Sequence, residues 1–206
     1  MAKFNSYMLG RVVKSLGNVT TCVLRGENIA RAKIMTRKDN PTPEILTQRA
    51  KMGLLIRLSR RLLPVVRLGF VGIGGGTTGN AFVQANLKSV EVSGDYVATL
   101  DYTVMKVSSG VLYSPDVTVA FDAEGGMYTF TQGTLEEESA FEMASDVVYG
   151  ALFESELLQV RVVKLKTRGE GGNTSAKLPR GWTEENVHVY GFAVAKNGKM
   201  ASDSLY

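Results

Sequence analysis

Apolar and polar positions follow three rhythms along this chain. Over residues 7–36, β-branched runs at Val12-Val13, Val19-Thr20-Thr21 and Val23 are cut by Gly10, Gly17-Asn18 and Gly26-Glu27-Asn28. Glycine and asparagine at those intervals supply the positive φ of tight turns, which predicts strands joined by two short hairpins. The strands are thin in large apolar residues, and Arg11, Lys14, Arg25, Arg31 and Lys33 project from them. A sheet this polar needs cover from another element or a neighbouring copy, and its open edges invite strand addition.

The rhythm then lengthens to that of a helix. After the linker RKDNPTP, Thr42 stands at an N-cap position, Pro43 at the first helical position and Glu44 in the first turn. At 100° per residue, Ile45, Met52, Leu55, Ile56, Leu58, Leu62, Leu63 and Val66 share one broad face, with Leu46 and Leu54 widening it. Arg49, Arg57, Arg60 and Arg61 fall on the other side, and Pro64 kinks or ends the helix near Leu63. Two readings of that arginine row stand: a solvated basic face, or a surface that docks on phosphate or on an acidic protein.

From Lys88 the pattern alternates with period two. SVEVSGDYVATLDYTVMKVSSGVLYS turns at Gly94-Asp95 and at Ser109-Gly110. Beyond Pro115, strand signals recur every 8–12 residues with turns between them, which predicts a β-sandwich of about seven strands. Near the end, His188, Tyr190, Phe192 and Val194 alternate against Val187, Val189, Gly191 and Ala193, before Asn197-Gly198 turns into a last strand. This is similar to the closing hairpin of fibronectin type III and related sandwiches, with Tyr190 either a tyrosine-corner residue or a plain core aromatic. The fold class expected is α+β, mostly β. An N-terminal hairpin arm and a basic amphipathic helix, over 1–112, precede an immunoglobulin/fibronectin III-like sandwich over 113–206.

Composition sharpens this picture in one respect. The net charge of +4 hides fourteen Lys and Arg against three acids in residues 1–70, and ten against seventeen in the remainder. That split suits an N-terminal part bound to a polyanion, and equally suits one copy's basic region packing on another's acidic region, which we favour. The lone Cys22 excludes an internal disulfide framework. No apolar run has the length of a membrane helix, and Arg11 and Lys14 break the N-terminal apolar stretch. Cytoplasmic synthesis is the expectation.

Candidate chemistry is sparse. Gly74, Gly76 and Gly79 satisfy G-x-G-x-x-G, but a basic helix precedes them in place of a buried parallel strand, so a flexible connection is preferred to a dinucleotide cradle. His188 is the only histidine, and Cys22 lacks a partner base. Glu136-Glu137-Glu138 reads as a solvated acidic loop, and Trp182 as a cover for one end of the core or an interface anchor. No cofactor, metal or catalytic residue is expected.

Three stretches carry a family resemblance: LGRVVKSLGNVTTCVLRGENIARAK, NPTPEILTQRAKMGLLIRLSRRLLPVVRLGF and ENVHVYGFAVAKNGKMASDSLY. They resemble, over nearly the whole chain, an uncharacterised family of Bacteroidota and their phages known only as a domain of unknown function. The family pattern implies a Gly-punctuated hairpin, a Pro-initiated helix and a terminal sandwich. This chain departs from it in the Gly-rich segment 72–79 and in lacking a tryptophan in the hairpin. The resemblance implies lineage and fold without an activity.

The functional expectation is therefore a non-enzymatic structural protein, most concretely a head, neck or tail accessory component of a phage virion. It would act through self-association or contacts with other structural proteins. The alternative is a nucleic-acid-binding protein. The residues expected to meet a partner or phosphate are Arg25, Arg31, Lys33, Arg49, Arg57, Arg60 and Arg61.

Overall fold

A computed structural model of the chain describes residues 2–5, 10–36, 39–73 and 76–206. They fall into two compact units, Met1–Pro41 and Thr42–Tyr206.

The first unit is one antiparallel sheet of β1 (Ala2–Phe4), β2 (Lys14–Leu16), β3 (Val19–Leu24) and β4 (Glu27–Ala32), in the order β1-β4-β3-β2. Both expected hairpins form. The β3–β4 turn places Arg25 at φ 53° and Gly26 at φ 83°, the paired positive values of a two-residue turn whose twist matches the strands. Asn28 ties the preceding segment to the sheet, donating to the Gly10 carbonyl at 2.8 Å and accepting from the Val12 N–H at 3.2 Å.

The second unit opens with α1 (Pro43–Arg61), α2 (Leu63–Gly69) and α3 (Thr78–Asn86). Thr42 occupies the N-cap with extended backbone, and Pro43 follows it as expected. The break falls at Leu62, whose carbonyl accepts from both Val65 and Val66 while Pro64 has no N–H to continue the ladder. Two short strands, β5 (Val90–Val92) and β6 (Ala98–Leu100), pair with each other beside α1. Then come β7 (Val117–Asp122), β8 (Met127–Gln132), β9 (Val147–Glu154), β10 (Gln159–Thr167), β11 (Gly172–Lys177) and β12 (Val187–Val194). They form two three-stranded antiparallel sheets, β10-β9-β12 and β11-β8-β7.

The apolar pattern of β9 and β12 explains how these layers stack. One row, Tyr149, Ala151 and Phe153 with Tyr190, Phe192 and Val194, packs against Leu62, Val65, Val66 and Phe70 of the helical layer. The other row, Val148 and Leu152 with Ala193, packs against Tyr128 and Phe130 of the facing sheet. Strands buried on both faces read as nearly continuous apolar runs, as VVYGALFE does. Gly150 allows the two sheets to close: a Cβ there would lie 2.6 Å from the Phe130 ring. The chain is α+β and mostly β, with its sandwich built three strands on three and a helical layer added on one outer face.

Two expectations are corrected. Residues 101–113 alternate in sequence, yet among them only Leu112 makes an isolated bridge, to Ser202. Their backbone groups find other partners: Asn86 holds both the N–H and the carbonyl of Lys106 at 2.8 Å, and Ser109 donates to the Gly69 carbonyl. The division of the chain also falls at Pro41, not at 112, because the helices and the sandwich share one core. Within the Gly-rich connection, Gly74 and Gly75 lie outside the described residues, and helices α2 and α3 flank the segment.

Candidate functional site: the basic face of the first helix

Helix α1 buries Leu55, Leu58 and Ser59 toward α3, β5 and β6. Arg49, Arg57, Arg60 and Arg61 are all exposed on its other side. Ile45, Ile56 and Leu63 join them in the open, which corrects their expected place on the apolar face. The reason is geometric. The buried arc centres on Leu55, Leu58 and Leu62, so Ile45 and Ile56 lie at its margin. Leu63 belongs to a new helix axis beyond the break, where the 100° stepping of α1 no longer applies.

The result is a stripe of mixed character: Ile45, Arg49, Gly53, Ile56 and Arg60 recur at steps of three and four along the exposed side of α1, and Leu63 and Arg67 are exposed on α2 beyond the break. Arg57, Arg60 and Arg61 surround a shallow open depression of about 530 Å³ floored by Gly53 and Ile56. A Cβ at Gly53 would meet nothing within 4 Å, so bare helix backbone is accessible there. Glycine in a helix interior costs roughly 1 kcal/mol relative to alanine, which makes its place at the centre of the arginines notable for close approach. Arginine beside aliphatic side chains also matches the composition of protein interfaces better than that of a purely solvated face.

In the first unit the expected basic residues are not gathered into one site. Arg25 sits in the β3–β4 turn, whereas Arg31 and Lys33 lie at the far end of the same hairpin. Lys33 is anchored by its N–H, which donates to the Asn18 carbonyl at 2.7 Å. The two faces of this sheet differ. Leu16, Val19, Val23, Ala30 and Ala32 share one, while Ser15, Thr20, Arg31 and Lys3 share the other with Cys22 and Leu24.

Two features escaped the sequence reading. Arg168 is buried, with its guanidinium on Glu142 and on the Tyr113 carbonyl, and its Nε 3.5 Å from the buried Asp146. Burial pulls the Arg168 guanidinium below its ordinary value, against the pull of Glu142 and Asp146. The second is a cleft between β7 and β12, lined by Val119, Phe121, Val187 and Val189 among others. His188 lies on the helical side of β12, its ring 4.7 Å from Tyr102 and its Nδ1 3.1 Å from the Tyr206 hydroxyl. Among the described residues no group of three or more His, Cys, Asp and Glu side chains is placed to hold a metal, and no helix is long and apolar enough to cross a membrane.

The sequence model of a family of unknown function, DUF6266, matches residues 11–206. The chain belongs to that family. No curated protein and no solved structure matches it. The match spans the second unit and most of the first, so the basic helix lies well inside the family's bounds.

Proposed function

We propose that this DUF6266 protein is a non-enzymatic assembly protein that works by self-association or by contact with other structural proteins. The observation that carries the reading is the single-layered N-terminal sheet. Val13, Leu16, Val19, Leu24, Ile34 and Met35 are all exposed, and among the described residues of this unit only Thr21, Asn28 and Ile29 are buried. A sheet gains stability when an apolar face is covered, and exposed apolar surface rimmed by charge marks interaction sites. The arginine and isoleucine stripe on α1 supplies a second contact surface of interface-like composition. In its finer form the reading is a virion component of a Bacteroidota phage, a head, neck or tail accessory protein, which rests on the family resemblance and on the opposite charge of the two halves.

Size-exclusion chromatography with light scattering, at low and high salt, tests the coarser reading. Concentration-dependent oligomers that weaken with salt are expected, and a strict monomer under every condition overturns it. Mass spectrometry of purified phage particles tests the finer one.

A second reading is nucleic-acid binding, favoured by the cluster of Arg57, Arg60 and Arg61 around accessible backbone. Filter binding would then show an affinity falling with salt at about −0.9 in log–log slope per duplex phosphate neutralised. No retention of DNA or RNA at low salt removes it.

A further inference from the structure

The sandwich is closed along one side and gapes along the other. β10 and β11 approach each other, and the Arg161 guanidinium reaches the Lys177 carbonyl across that edge. On the opposite side β7 comes close to β12 at Gly191, where a Cβ would lie 3.7 Å from Val117, and the free edge of β12 there pairs with Leu205. Beyond that point a cleft of about 470 Å³ opens, lined by Val119, Phe121, Tyr128, Val187 and Val189 among others. Val119 pairs across the ladder with the fully buried Phe130, so its side chain points into the sandwich, and yet it is 40% exposed. An inward-facing valine left in the open is a core position that lacks its covering layer.

The backbone of β7 offers what a covering strand needs. It is the terminal strand of its sheet, and Gly133 donates to the Asp116 carbonyl at 3.1 Å. By the alternation of an antiparallel ladder, even-numbered residues of β7 bond to β8, while Val117, Val119 and Phe121 direct their N–H and carbonyl groups to the free edge. The cleft lining itself is mostly apolar, and exposed acids stand at both ends of β7: Asp116 precedes it, Asp122 is its last residue and Glu124 follows in the turn.

The same chain carries a segment of the opposite character. Residues Lys33–Thr36 leave β4 without belonging to a strand, and Ile34 and Met35 are 72% and 71% exposed. Arg31 and Lys33 supply positive charge beside them. We infer that the β7–β12 cleft is a docking site for the Lys33–Thr36 segment of a second copy, which adds to β7 as a strand and drives an aliphatic side chain into the cleft. The acids at the ends of β7 and the basic flank of the segment fix the pairing by charge. This rests on the assembly reading and deepens it by naming both surfaces. The pairing of one copy's segment with another's cleft closes as a reciprocal two-fold dimer when both contacts form together, and otherwise repeats from copy to copy.

The test uses the full chain and two variants, Val119→Lys in the cleft and the double variant Ile34→Glu/Met35→Glu in the segment. Light scattering over a concentration series is expected to show wild-type association, and each variant alone at least tenfold weaker. An equimolar mixture of the two variants retains one intact cleft and one intact segment, so it is expected to form a 1:1 dimer and nothing larger. If Val119→Lys fails to fold, Val119→Pro replaces it, since proline removes an edge N–H without touching the β8 ladder. A wild type that is monomeric throughout removes the assembly reading itself. A wild type that associates while the cleft variants associate equally well overturns the docking site and leaves assembly standing. Cleft variants that dissociate but give no mixed dimer overturn the second-copy segment as occupant.

Discussion

The Tyr190 hydroxyl donates to the Tyr102 carbonyl at 2.6 Å, joining positions 88 residues apart in sequence. It is therefore not a tyrosine corner, which bonds to backbone a few residues upstream, but a link between β12 and the irregular segment after β6. Burial pushes the phenol well above its ordinary value, so it stays protonated and remains a donor at any pH the fold survives. Tyr190→Phe keeps the ring and removes the bond, at a cost of about 1–2 kcal/mol with the carbonyl left half-satisfied. A thermal melt is expected to show a midpoint some 2–8 °C lower, on the order of 2–4 °C per kcal/mol for this size.

Gly150 and Phe130 set the spacing of the two sheets. Gly150→Ala forces the ring aside and is expected to cost about 1–3 kcal/mol by overpacking. Adding Phe130→Leu makes room for the new methyl, so the double variant is expected to be more stable than the sum of the two single losses predicts. Urea titrations of the three variants give that coupling directly.

Arg168 neutralises two acids, Asp146 buried with it and Glu142 partly exposed. Arg168→Met leaves Glu142 and Asp146 without it, and a loss of about 3–5 kcal/mol is expected from the uncompensated charge. The triple variant with Glu142→Gln and Asp146→Asn is expected to recover a large part of it. Chemical denaturation that finds the triple variant no better than the single one would show that the ion cluster holds the fold by geometry rather than by charge balance.

These positions show where sequence carries the fold and where it does not. The start of α1 at Pro43, its break at Leu62 and both hairpins of the first unit rest on local chemistry: a fixed φ, a missing N–H, a glycine at positive φ. The double alternation of β12 likewise states outright that both faces are covered. Residues 101–113 alternate just as well, but their partners are Asn86, Gly69 and Ser202, which local periodicity cannot reveal. The exposed arginines were legible from the helical wheel. The margin occupied by Ile45 and Ile56 was not, since it depends on how far α3 covers α1. The cleft was illegible for a similar reason: Val117, Val119 and Phe121 alternate as they would in a closed sandwich, and only the distance to β12 separates the two cases.

His188 gives a pH dependence with a defined sign. Burial holds its imidazole below the ordinary value near 6.5, with Asp101 and Glu154 pulling the other way. The unfolded chain therefore takes up a proton more readily than the folded one. Stability is full above about pH 6.5 and declines as pH falls from there through the lower folded value. Because this is the only histidine, His188→Phe is expected to flatten the curve between about pH 7 and 5. A melting profile of the variant that keeps the same slope assigns the decline to other groups.

Reversing the arginines separates contact from folding. Arg57→Glu, Arg60→Glu and Arg61→Glu lie on exposed helix surface, so together they are expected to shift stability by no more than about 1 kcal/mol. Oligomer formation, or nucleic-acid retention under the second reading, is expected to fall at least tenfold in the same protein.

The position of β9 between two cores has a consequence for the order in which the molecule opens. Its amides are bonded to β10 on one side and β12 on the other, and its side chains anchor both apolar clusters. No partial opening of the helical layer alone, or of the facing sheet alone, can release it. In hydrogen exchange β9 reports the global unfolding free energy of the second unit, while the thinly buried strands of the first exchange ahead of it.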